Sequence, residues 1–119
     1  MTVDVLGTKY RIETHKISED EFMQKNHLEG WCGEDSKIIA IADYSEEEYF
    51  PDMTEGERKT RRNRDLRHEI YHAFLNESGL STSAQPYYGA WTKNEEMIDW
   101  NAIQLPKIFA AYKECGCLD

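Results

Sequence analysis

Cysteine is scarce and poorly spaced for structural chemistry. Cys32, Cys115 and Cys117 are an odd number with no CxxC pair, which argues against both a disulfide framework and a thiolate zinc cluster and suggests free thiols in a reducing compartment. Long apolar runs are missing too: the longest uncharged one is "IIAIA" at 38–42, far short of the roughly 18 residues of a membrane span. The opening "MTVDVLGTKYRIETHK" has no basic start followed by an apolar stretch, so no signal peptide is expected and the expected compartment is the cytoplasm. Basic charge is in deficit, with 14 Lys and Arg against 23 Asp and Glu for a net charge of −9, and this disfavours nucleic acid and anionic lipid surfaces as partners. No internal repeat or low-complexity tract appears.

What is present fits one domain spanning 1–119: 39% hydrophobic and 31% charged residues, enough for a single modest core. Val3, Val5, Tyr10 and Ile12 alternate around Gly7-Thr8, which predicts a two-stranded hairpin with a type II′ connection. Ser18 and Glu21 have capping-box spacing ahead of a short helix, "SEDEFMQKN". "HLEGWCGEDS" carries two glycines and reads as a loop, whereas "KIIAIAD" is rich in β-branched residues and reads as a third strand. After an acidic loop, Thr54 and Glu57 form another capping-box pair, and no proline or glycine follows Gly56 until Gly79. That predicts one long helix over 57–78, stopped by a left-handed Gly79. A Ser-, Gly- and Pro-containing loop at 80–91 leads to a last helix over 92–114, which Pro106 is expected to kink or divide. The expected fold class is α+β: a small three-stranded antiparallel or mixed sheet packed on two long helices, plus a short N-terminal helix.

The chemistry concentrates in "RHEIYHAFLNESG", residues 67–79. Residues four apart share a helix face, so His68 and His72 can aim ring nitrogens at one ion. Glu69 sits too far round to join them comfortably, yet it can hold a water and take its proton during attack on a carbonyl carbon, once zinc has lowered the pKa of that water toward about 7. The neighbours Leu66, Ile70, Tyr71, Ala73 and Phe74 are uncharged, as a helix inside a core requires; the bland alternative is two histidines on a surface helix. A catalytic zinc needs a third protein ligand. Glu95 and Asp99 are four apart in "NEEMID", so Glu95 can complete the shell while Asp99 accepts from the outer nitrogen of a ligand histidine. Two local readings compete: Thr92 and Glu95 also have capping-box spacing, and Glu96 is a further ligand candidate.

Together "HEIYH" and "NEEMID" resemble the thermolysin-type zinc peptidases, the gluzincins, and in order and compactness the minimal ImmA/IrrE-like metallopeptidases of the small prophage-encoded kind. The similarity runs from about Leu66 to Lys107, and more loosely back to the hairpin, "GWC" and "KIIAIAD". In that family the third ligand opens an E-x-x-A-N-x-F-A motif; here Glu95 and Ala102 match, while Asp99 and Asn101 stand where the motif has Asn and Phe. The resemblance implies a Zn2+-dependent peptidase with His68, His72 and Glu95 as ligands and Glu69 as general base. It also implies a peptide or protein substrate, such as a phage or mobile-element repressor, adding to the edge of the strand that holds Ile39, Ala40 and Ile41. Tyr87 or Tyr88, from the loop between the ligand helices, could polarise the substrate carbonyl or simply pack that loop. The alternative is a catalytically inactive zinc-binding regulatory or interaction protein of a mobile element. The run "RKTRRNRDLR" before the ligands holds six basic residues; an acidic partner or a solvated face that neutralises the acidic loop would each account for it, the second more simply.

Overall fold

The computed structural model describes residues 1–80, 90–115, 117 and 118, and everything below refers to them. Strands β1 (Thr2–Val5) and β2 (Thr8–His15) form the expected antiparallel hairpin. Its turn lies one residue earlier than the spacing suggested: Val5 pairs with Thr8, and Leu6 and Gly7 occupy the corner with φ of 51° and 90°. Two positive φ values make this a type I′ rather than a type II′ connection, matching the twist of the strands at the cost of a leucine held left-handed.

Helix α1 (Glu21–Asn26) follows a short 3-10 turn at Ile17–Glu19. Its cap is Asp20, which accepts from the Met23 N–H at 2.9 Å. Ser18 instead donates to Glu46 at 2.6 Å. The sheet has four strands, not three. The stretch expected to be a loop contains β3 (Gly30–Gly33), paired antiparallel with β4 (Ile38–Ala42), so that Trp31 lies opposite Ala40 and Cys32 opposite Ile39. Because β2 and β4 run parallel, the sheet is mixed, in the order β1-β2-β4-β3. This arrangement puts β4 in the interior. Ile39, Ala40 and Ile41 are fully buried and hydrogen-bonded on both sides, so they do not form a substrate edge; β3 is the free edge on that side.

The core gathers β4 with Val5, Tyr10, Ile17, Met23, Tyr44, Phe50 and Ala73. Burying a side chain such as Ile39 or Ile41 contributes about 1.5–3 kcal/mol before entropy is counted. Helix α2 (Glu55–Glu77) lies across β3 and β4. It begins with the Thr54–Glu57 capping box, both hydrogen bonds formed, and Gly79 beyond its end has φ of 85°. Each end is also tied to the sheet side. Glu77 accepts from Tyr10 at 2.7 Å and Thr8 at 3.1 Å and pairs with Lys37, while Arg61 pairs with Glu29. Arg58 meets Glu47 of the acidic loop and Arg64 meets Asp65, so half of the basic run is spent on local ion pairs.

After a 3-10 turn at Trp91–Lys93, helix α3 spans Glu95–Glu114. Pro106 does not divide it. The Ala102 carbonyl, which a proline four residues on leaves without a helical donor, accepts from Arg67 Nε of α2 at 2.6 Å. Ile98 and Ala102 form the buried face of α3. No helix among the described residues is long and apolar enough to cross a membrane.

Candidate metal centre

Helix α2 buries Glu69, Ala73 and Leu75, and the one-turn spacing then brings His68 and His72 onto the adjoining face, at the mouth of a cleft. Their ring centroids are 4.8 Å apart. Across the cleft, α3 begins at its cap, Asn94, whose Oδ1 accepts from the Met97 N–H at 2.9 Å. Asn94 therefore does the capping that the Thr92–Glu95 spacing had suggested. Thr92 is buried and its hydroxyl has no partner among the described residues. Glu95 is left free to face α2. Its Oε2 lies 3.1 Å from His68 Nε2 and its Oε1 lies 3.2 Å from His72 Nε2, with the two Nε2 atoms 3.1 Å apart. Glu96, the other ligand candidate, is exposed and makes none of these contacts.

Asp99, one turn further along α3, contacts His68 Nδ1 at 2.8 Å. An ionised carboxylate only accepts, so Nδ1 carries the proton, and His68 Nε2 is turned toward Glu95 and His72. When the rings are neutral, the two Nε2 atoms and the carboxylate form a triangle that a single proton bridges only in part. One cation at their focus would satisfy all three. The observed separations also suit it: zinc ligands about 2.0–2.1 Å from the ion stand about 3.3 Å apart in a tetrahedron. By donor chemistry and by spacing, the residues present fit a zinc ion.

Glu69 belongs to the same cluster, its carboxylate oxygen within 4.8 Å of the ligand nitrogens of His68 and His72. Only 8% of it is exposed, and it forms no hydrogen bond or ion pair with a described residue. Burial pushes its pKa up to about 8, and the carboxylates of Glu95, Asp65 and Asp99 add to the effect. Burial also lowers the pKa of His72, with His68 contributing, against the opposing pull of Glu95; a neutral imidazole is the form that binds metal. The close seat of Glu69 depends on a residue whose role the sequence did not disclose. A Cβ on Gly30 would stand 3.2 Å from both the Ala40 carbonyl and Glu69 Oε1, so a side chain there would crowd the carboxylate and push it back by a few tenths of an ångström. The pair of glycines around Trp31-Cys32 was the available signal, and it looks the same as a loop signal.

Two clefts flank the cluster and share His68, Glu69 and Glu95 as walls. One, of about 380 Å³, continues past Trp31, Cys32, Asn76 and Lys93. The other, of about 490 Å³, continues past His27, Glu29, Asp65 and Asp99. Burial, with Glu69 and Glu34 adding, pushes the Cys32 thiol up to about 12. A separate apolar groove of about 590 Å³ between α2 and α3 contains none of the histidines. His15 lies elsewhere, bonded to Glu13 and Asp20. Tyr87 and Tyr88 lie outside the described residues. No protein-family model, curated protein or solved structure matches this chain.

Proposed function

We propose that this chain is a zinc-dependent peptidase of the gluzincin type, similar to the minimal ImmA/IrrE-like enzymes, with His68, His72 and Glu95 as metal ligands. The observation that carries the reading is the triangle of His68 Nε2, His72 Nε2 and the Glu95 carboxylate, with edges of 3.1–3.2 Å, beside a buried carboxylate that has no hydrogen-bond partner among the described residues. Two imidazoles and one carboxylate are a ligand set that leaves zinc an open position, where the ion supplies polarisation of a carbonyl and acidification of water.

The protein groups divide the remaining work. Asp99 holds the His68 ring and its tautomer, keeping Nε2 directed inward. Glu69 takes a proton from the attacking water at its carboxylate and passes it to the leaving amine, a shuttle its place beside the histidines allows. Gly30 keeps space for that carboxylate. The substrate is a peptide or protein segment lying extended along β3, whose outer edge has no strand partner among the described residues. A repressor of the phage or mobile element that carries the gene is the proposed natural substrate, and the cytoplasm the proposed compartment.

Glu69→Gln tests the reading. The variant should keep one zinc per chain and lose peptide hydrolysis by roughly 10²–10⁴-fold. Wild-type activity in Glu69→Gln would overturn the mechanism, and stoichiometric zinc without hydrolysis in the wild type would favour a zinc-binding regulatory protein instead.

A further inference from the structure

The contact between the two ligand-bearing helices contains one hydrogen bond that ordinary helix packing does not require. Pro106 has no N–H, so the Ala102 carbonyl, one turn before it, lacks its helical donor. Ala102 is 2% exposed, which leaves little room for water to replace that donor. Arg67 Nε fills the place at 2.6 Å. The guanidinium has no carboxylate partner among the described residues, so this carbonyl, not an ion pair, accounts for its position. The placement matters because Arg67 directly precedes His68, and Ala102 lies one helical turn beyond Asp99. The bond therefore joins α2 and α3 beside the pairs that form the candidate centre, His68 with Asp99 at 2.8 Å and His68 with Glu95 at 3.1 Å.

We propose that Arg67 is a positioning residue for the metal centre: it occupies the carbonyl that Pro106 frees, and so sets the height and rotation of α3 at which Asp99 and Glu95 reach the histidines. The functional meaning of this role rests on the zinc reading above; the positioning itself does not. Proline and arginine act as a matched pair. An α3 with an ordinary residue at 106 would supply its own N–H to Ala102 and would need no arginine at 67. A proline at 106 without Arg67 would leave a buried carbonyl unpaired, and the helix would shift or rotate to solvate it, carrying Asp99 and Glu95 away from His68.

The experiment compares wild type, Arg67→Met, Arg67→Lys and Arg67→Met/Pro106→Ala. Two quantities are read: zinc affinity of the full chain by chelator competition, and the ring 15N shifts of His68 in metal-free protein, which report the Nδ1–H tautomer held by Asp99. Arg67→Met should weaken zinc binding roughly tenfold, the scale of a lost outer-shell support, and should lose the tautomer preference. Arg67→Lys, which keeps a donor, should retain most of both. Pro106→Ala added to Arg67→Met should restore both, because the new backbone N–H reaches the Ala102 carbonyl. That rescue separates positioning from a general loss of packing, and the double variant and Arg67→Lys carry the test if Arg67→Met does not fold. Wild-type zinc affinity and tautomer in Arg67→Met, or no recovery in the double variant, would overturn the proposal. If no form binds zinc, the peptidase reading falls and the His68 tautomer alone decides whether Arg67 positions α3.

Discussion

Two histidine clusters on this chain use the same residue types to opposite ends. At His15 both ring nitrogens are taken by carboxylates, Nδ1 by Asp20 at 2.7 Å and Nε2 by Glu13 at 2.8 Å. Because both partners only accept, they favour the protonated ring, in which both nitrogens donate and no lone pair is left to offer. At His68, Nδ1 faces Asp99, while its Nε2 and that of His72 share the single Glu95 carboxylate across the cleft. The electrostatics diverge accordingly. Burial works to lower the pKa of His15, yet the bonds to Asp20 and Glu13 outweigh it and leave the value raised; at His72, burial prevails and the value is lowered. A histidine enclosed by acids makes a structural ion pair, while the histidines that share one acid across a cleft have the spacing that the proposed metal site needs.

Removing Asp20 is the strongest way to break the first cluster. Its Oδ2 also accepts from Trp31 Nε1 at 3.0 Å and its Oδ1 caps α1 through the Met23 N–H. Asp20→Ala should cost about 2 kcal/mol in urea unfolding, from a lost helix cap and two part-buried donors left to water, while zinc affinity stays at the wild-type value. Loss of zinc binding in that variant would show that the two clusters are not independent. Gly30→Ala acts on the second cluster more gently. The new Cβ would meet the fixed Ala40 carbonyl and the Glu69 carboxylate, both at 3.2 Å, so Glu69 must yield. Stability should fall by about 1 kcal/mol, and hydrolysis should fall more than zinc affinity, as parallel assays on one preparation would reveal.

The smallest effect is a pH dependence. The raised pKa of His15 means that its contribution is complete below its unfolded value, about 6.5, and is lost as pH rises through the higher folded value. Asp20 and Glu13 have lowered values, for Asp20 because the hydrogen bonds from His15, Met23 N–H and Trp31 outweigh burial, so their contribution is present above about pH 4 and lost as pH falls through the folded values. Between those limits the cluster is fully charged. His15→Gln should therefore destabilise by about 1 kcal/mol near pH 6 and by less near pH 9, read as the difference in melting temperature from wild type. An equal difference at both pH values would mean that His15 is neutral in the fold.

Features encoded by local physics were legible before the fold was known. The Thr54–Glu57 box, the unbroken run to Gly79 and the His68, Glu69 and His72 spacing all lie on α2 and form as read. What stayed hidden depends on another part of the chain. Gly30–Gly33 has little strand propensity of its own and becomes β3 through pairing with β4, which also moves Ile39, Ala40 and Ile41 from the edge to the interior. The turn at Leu6-Gly7 holds a leucine at positive φ that local preference would not choose. The Ala102 carbonyl that Pro106 leaves without a helical donor is met by Arg67 from a different helix. Glu95 was ambiguous for a related reason, since capping and ligation share one spacing; in the fold Asn94 is the cap and Glu95 faces the histidines.

Zinc K-edge absorption on wild type and Glu95→Ala, with metal stoichiometry measured on the same samples, tests the central claim most directly. One zinc per wild-type chain, coordinated by two imidazole nitrogens and a carboxylate, with the carboxylate signal and tight binding lost in Glu95→Ala, is the expected result. A wild-type chain without stoichiometric zinc, or a Glu95→Ala chain that binds it as tightly, would contradict the account.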